Sequence, residues 1–388
     1  MPVFALTILL AAFLLFQVQP LIAKIILPWF GGASSVWSTA MLFFQAALLG
    51  GYLYAHWLNE RLSRRRQAIV HTALLAVSLL VLPLAPDASW KGSGLENPEW
   101  RLLGLLATAV GLPYFLLSTT SPLIQAWYAR AHAGAVPYRL YALSNLGSML
   151  GLVSYPVLVE PRLAVRTQSL VWSVSYVVFA ALCGVAAWSG LRASGREERV
   201  EGERPPAPGW GMRLLWMGLA GCASTLLLAI TAYLTQDVAA IPFLWVAPLS
   251  VYLLSFIICF EAPRAYERRV WLPLGAVALG FMGYMLSPEG PEYQVPATVA
   301  LWTAGLLVCA MICHGEIVRT KPHPRYLTGF YLMIALGGAL GGAFVSLVAP
   351  NLFRAYWELP VGLLACAVLA AAMVAREHVG RRVAWIWR

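Results

Sequence analysis

The chain has 388 residues, of which 60% are hydrophobic and only 11% charged, and it carries a net charge of +10. A water-soluble globule of this size has no place to hide so much apolar surface, which excludes an ordinary soluble enzyme or binding domain. The positive charge is spread over six short segments between apolar runs, so a nucleic-acid partner is not expected.

Twelve apolar stretches follow one another along the chain, at 3–28, 36–57, 68–84, 102–126, 138–159, 170–191, 214–234, 240–260, 270–286, 297–317, 326–349 and 359–374. A helix crosses the hydrocarbon core with about 20 mostly apolar residues. Backbone groups in lipid must pair within their own segment, so these stretches predict an all-α, polytopic transmembrane helix bundle of about twelve spans. The first is not read as a cleaved signal peptide, because no Lys or Arg precedes it and its apolar run exceeds a usual signal core.

The basic residues test this topology. Of the 27 Lys and Arg, 21 fall after spans two, four, six, eight and ten or in the tail, and five fall on the opposite side. The positive-inside rule then predicts cytoplasmic N- and C-termini, with the lipid bilayer as the first partner. All six cysteines, Cys183, Cys222, Cys259, Cys309, Cys313 and Cys366, lie in spans, so no disulfide framework is expected. Cys309 and Cys313, at i and i+4 with His314 next, are the one soft-metal candidate. No fourth ligand stands near them in sequence, so they are read as packing residues, and no metal or other cofactor is expected.

The longest charged linker, 192–213, divides the chain into an N-terminal six-helix bundle (1–191) and a C-terminal one (214–388) with a short tail. The halves resemble each other. YALSNLGSMLG from Tyr141 to Gly151 aligns without a gap on YLMIALGGALG from Tyr331 to Gly341, matching Tyr141 with Tyr331, Gly147 with Gly337 and Gly151 with Gly341. VWSTAMLFF from Val36 and LWVAPLSVY from Leu244 hold corresponding places, and each runs into a Glu-Arg loop, Glu60-Arg61 and Glu267-Arg268. Two such halves predict a duplicated, MFS-like plan, that of the major-facilitator transporters. The loop signature of that superfamily is only partly present: Gly51 and Arg61 to Arg66 are there, but Ala55 stands where an Asp would. The glycines at four-residue spacing, repeated in Gly337, Gly338, Gly341 and Gly342, predict close helix packing rather than a phosphate loop.

Polar residues inside spans are functional candidates because lipid gives them no partner. Gln17, Gln19, Lys24, Gln45 and Asn145 lie at membrane depth, and Gln236 and Asp237 between spans seven and eight. They are candidate substrate-binding residues at the depth where transporters of this plan bind. The alternative is helix-to-helix bonding, with Lys24 reaching outward or pairing with Glu160 or Asp237. His314 and Glu316 are candidates for proton coupling, the alternative for Glu316 being a solvated helix end. In span four, Pro113 and Pro122 flank Ser118, Thr119, Thr120 and Ser121, with Gln125 one turn on. Those hydroxyls either satisfy freed carbonyls or line a cavity.

FQVQPLIAKIILPWFGGASSVWSTAMLFFQ (Phe16 to Gln45), STTSPLIQAW (Ser118 to Trp127), YRLYALSNLGS (Tyr138 to Ser148), YLTQDVAAIPFLWVAPLSVYLLSFIICFE (Tyr233 to Glu261) and FYLMIALGGALGG (Phe330 to Gly342) resemble the membrane module of the bacterial fused MFS/spermidine synthase-like proteins. The resemblance implies a multi-pass protein of the bacterial inner membrane, linked to polyamine metabolism, with an aminopropyltransferase-like domain or partner. No strand, glycine-rich turn and acidic residue suited to such a synthase occurs in the loops, so no catalysis is carried over and no enzyme is expected. The segment 383–388 reads as the start of another interfacial or spanning segment, as in a shortened or fragmentary member of that family. The expected role is a transporter-like module for a small polar, cationic or zwitterionic solute. The rivals are a channelling partner for an aminopropyltransferase-like protein and a membrane scaffold without a pathway.

Overall fold

The computed structural model describes residues 2–30, 34–86, 88–90, 98–131, 137–192, 206–235, 244–291 and 293–386. Each expected span has its helix: α1 (Pro2–Phe30), α2 (Ser34–Arg61), α3 (Arg64–Ser78), α4 (Trp100–Ala131), α5 (Tyr138–Arg162), α6 (Val165–Arg192), α7 (Trp210–Tyr233), α8 (Val246–Glu261), α9 (Arg268–Met285), α10 (Val295–Arg319), α11 (Pro324–Leu352) and α12 (Glu358–Ile386). No strand occurs among the described residues. The fold is an all-α bundle of the multi-pass kind.

Eight of the described helices, α1, α4, α5, α6, α7, α10, α11 and α12, are each long and apolar enough to cross a membrane unaided. The others fall short for local reasons. α3 has 15 residues and opens on three arginines, and α8 has only 16 residues. α9 opens on Arg268 and Arg269, and α2 carries Gln45, His56, Asn59 and Glu60 along its length. The segment from 383 does not begin a new element, because α12 runs on through Ile386. Most of the expected linker, 193–205, lies outside the described residues.

The chain forms two compact units, residues 1–209 with 322–335, and residues 210–321 with 336–388. In the first unit α1 packs along α5, and the glycines decide how closely. A Cβ on Gly147 would come 2.5 Å from the Leu9 carbonyl, and one on Gly151 would come 2.6 Å from that of Phe13. In the second unit a Cβ on Gly337 would run into the Met217 carbonyl, and one on Gly341 into that of Gly221. The glycines matched by the internal repeat therefore perform the same task in each unit, one on α1 and the other on α7. Gly151→Val should push α1 off α5 and lower stability by about 1–3 kcal/mol, the usual range for overpacking. Thermal unfolding of the detergent-purified protein measures it, and an unchanged midpoint would mean that α1 does not need this approach.

Among the described residues, three helices are interrupted by π-turns, at Ala107–Gly111, Tyr155–Val159 and Phe344–Val348. A proline follows each by two residues: Pro113, Pro161 and Pro350. Proline has no N–H to donate and its ring crowds the carbonyl four residues back, so the preceding turn widens. The second and third π-turns fall at corresponding places in the repeat, which carries the duplication beyond the sequence match.

Candidate functional site

In the first unit, buried amides and phenols from four helices join into one network. Span four supplies its spine. Ser118 Oγ donates to the Phe115 carbonyl at 2.7 Å, Thr119 to that of Leu116 at 2.7 Å and Thr120 to the same oxygen at 3.1 Å. These hydroxyls bond carbonyls of the preceding turn, Phe115 and Leu116, and not those of Ala109 and Ser118 that Pro113 and Pro122 leave without a donor. Gly51 of α2 leaves the room that the Ser118 hydroxyl occupies. One turn on, Gln125 donates from Nε2 to the Ser121 carbonyl at 3.0 Å and to Ser121 Oγ at 3.1 Å. Its Oε1 accepts a 2.6 Å bond from the Tyr331 hydroxyl of α11. Tyr52 of α2 lies near Ser121.

Above this amide lie stacked rings. Tyr331 stacks on Tyr141 of α5 with centroids 4.6 Å apart and planes inclined by 18°. Tyr138 stands edge-on to Tyr331 at 6.4 Å and donates to the Pro322 carbonyl at 2.5 Å. The two tyrosines aligned by the internal repeat, Tyr141 and Tyr331, are thus in face-to-face contact. Phenols in an apolar span carry a hydroxyl that must find a partner, and that was the available signal for Tyr52, Tyr114 and Tyr331. Sequence reading used Tyr331 only as a marker of the repeat.

The candidates named from sequence take different places. Gln17 Nε2 donates to the Gly151 carbonyl at 2.7 Å and to Ser154 Oγ at 2.9 Å, which ties α1 to α5. Gln19 Nε2 donates to the Tyr114 hydroxyl at 3.1 Å. Asn145 donates within its own helix, to the Tyr141 carbonyl at 2.8 Å, directly under the stacked ring. Gln45 is half-buried on α2. Lys24 Nζ lies 2.7 Å from Glu160 Oε1, with 36% and 33% of the two side chains exposed. Gln236 and Asp237 lie outside the described residues.

In the second unit His314 and Glu316 are not brought together, since neighbours two apart on a helix face different sides. His314 Nδ1 bonds Ser255 Oγ at 2.7 Å, and its ring stacks on Phe256 at 3.5 Å. Its Nε2 is buried without a hydrogen-bond partner among the described residues. Glu316 is not a solvated helix end. It is 1% exposed and accepts two bonds from Arg268, at 2.5 Å from Nε and 2.6 Å from Nη2, with a third from the Tyr266 hydroxyl at 2.8 Å. Burial, and then the Glu316 charge, push the phenol of Tyr266 above its usual range, so it stays a neutral donor in the loop before α9. Glu358, buried at the start of α12, borders a cavity of 260 Å³ with Tyr233, Leu286 and Tyr356, and no sequence pattern singled it out.

No protein-family model and no curated protein matches the chain. Solved structures do. The XylE proton:xylose symporter of the major facilitator superfamily, bound to 6-bromo-6-deoxy-D-glucose, is similar with a TM-score of 0.60 at 15% identity, over 96% of this chain and 95% of that one. A double-tryptophan variant of XylE is similar at 0.61 and 14% identity, over 95% and 94%. The inward-open xylose transporter XylE from E. coli is similar at 0.57 and 14% identity, over 94% of each chain. Similarity at this level of identity concerns the fold, which this chain shares with XylE.

Proposed function

We propose that the protein is a transporter-like integral membrane protein that carries a small polar solute, recognised at the amide and tyrosine network of the first unit. The observation that carries this reading is the Gln125–Tyr331 bond beneath the Tyr141–Tyr331 stack. It is a directional polar group at the hydroxyl of a stacked ring, in a helix bundle whose solved structural counterparts are named as transporters. Aromatic faces attract an ammonium group, and amides bind hydroxyls and carboxylates. The residues of the network described above are all uncharged, so a zwitterion, or a solute with one ammonium group, fits it better than a polyamine with several. Gln19, Asn145, Gln45 and the Lys24–Glu160 pair would flank this path, with Gln236 and Asp237 as further contributors. His314, with its free ring nitrogen, is the stronger of the two proton-coupling candidates.

The distribution of Lys and Arg supports a bacterial inner-membrane orientation with both termini cytoplasmic. A second reading is favoured by the sequence resemblance alone: a module that passes solute to an aminopropyltransferase-like partner in polyamine metabolism.

The test is uptake by proteoliposomes of labelled amino acids, a pentose, putrescine and spermidine, with and without a proton gradient. Saturable uptake of one class is expected. Tyr331→Phe, which removes a single buried hydroxyl, should cut that uptake about tenfold, the equivalent of one hydrogen bond to a buried polar group. No uptake of any solute by well-folded protein would overturn the reading, and co-purification with a soluble aminopropyltransferase-like protein would then favour the second.

A further inference from the structure

The second unit gathers cysteines that the sequence keeps far apart. Cys222 comes from α7, Cys313 from α10 and Cys366 from α12, and their sulfur atoms all lie within 4.8 Å of one another. Cys309 lies one turn before Cys313 on the same helix. All four thiols are buried and free of disulfides. Packing alone would scatter small residues among neighbours of any kind, as it does the other two cysteines: Cys183 sits against His71 and Cys259 against Met311. Here three helices each turn a thiol toward the same point, and the partners that Cys313 lacked in the sequence reading arrive from α7 and α12.

We propose that Cys222, Cys313 and Cys366 form a binding site for a soft monovalent cation of the Cu(I) class. Three sulfurs held about 2.3 Å from a central ion stand about 4.0 Å apart, so the present spacing needs only a small contraction of side-chain torsions. Thiolate donors select Cu(I) or Zn(II) among cellular metals, and structural zinc takes four ligands in a tetrahedron. This set offers three mutually close sulfurs, and Cys309 is not among them. Charge points the same way. A monovalent ion entering the apolar core needs one thiol to release its proton to solvent, and the site is then neutral, whereas every further ionised thiol would bury net charge at the cost lipid imposes. The oxidation state of the metal does not change. The site lies wholly within the second unit and does not depend on the transport reading.

The experiment is an anaerobic titration of the full-length, detergent-purified protein with Cu(I) against a chromophoric Cu(I) chelator, followed by copper X-ray absorption. One Cu(I) per chain, with sulfur as its only near neighbour, is expected. Cys313→Ala and Cys366→Ala should each weaken binding at least a hundredfold, while Cys183→Ala should leave it unchanged. Size-exclusion profiles identify variants that remain folded, and if neither does, the absorption spectrum of the unaltered protein decides alone. Absence of bound copper, nitrogen or oxygen neighbours, equal binding by a folded Cys366→Ala variant, loss of binding in Cys183→Ala, or preference for Zn(II) would each overturn the proposal.

Discussion

Glu316→Leu is expected to destabilise the protein by about 3–5 kcal/mol, because it takes from the largely buried Arg268 guanidinium the carboxylate that accepts two of its bonds. Arg268 is 15% exposed, too little for water to replace the two bonds it makes to Glu316. Arg319, at 3.6 Å from the same carboxylate, loses its partner too, but it is 45% exposed and can turn to solvent. Arg268→Met should cost a similar amount by stranding the carboxylate. The double variant Glu316→Leu with Arg268→Met should recover most of the loss, since it removes both charges of the pair and costs only the acceptor of the Tyr266 hydroxyl. Thermal unfolding of the four proteins in detergent completes the cycle. A double variant no more stable than either single one would mean that the pair does not anchor the loop before α9.

Lys24→Met should lower uptake in proteoliposomes more than tenfold while changing stability little. The Lys24–Glu160 pair is about one-third exposed on each side, and ion pairs that open to solvent are worth only about 0–1 kcal/mol. A lysine kept in a membrane span for so small a gain has its reason elsewhere, and solute handling at the end of α1 is the role this variant tests. Exchanging the charges, Lys24→Glu with Glu160→Lys, asks whether position matters. Restored uptake would mean that neutrality of the pair suffices. Unaltered uptake in Lys24→Met would remove the residue from the mechanism.

The spans were legible because the physics behind them is local. Apolar runs of bilayer length, separated by arginines, leave little choice of element, and the repeat around Tyr141 and Tyr331 located the glycines that later proved to seat α5 on α1 and α11 on α7. The sites were less legible because their partners are distant in the chain. Glu316 stood out as a carboxylate near a helix end, but its partner Arg268 is 48 residues earlier, at the start of α9, among charges that seemed to serve topology alone. Gln125 meets Tyr331 across 206 residues. Cys309 and Cys313 were visible as a pair, while Cys222 and Cys366, on two other helices, had no periodicity to connect them. Lys24 was the exception, because equal depth at the same face brought Glu160 forward as a partner.

The π-turns bear on how such a molecule could move. A hinge can open and close only if the bonds it breaks can form again, and Pro113, Pro161 and Pro350 have no amide proton with which to close the ladder. That donor is missing in every state of the protein, because it is a matter of covalent structure and not of conformation. The carbonyl that each proline leaves unbonded within its helix therefore stays available to another donor, such as a hydroxyl or water, through every step of a working cycle.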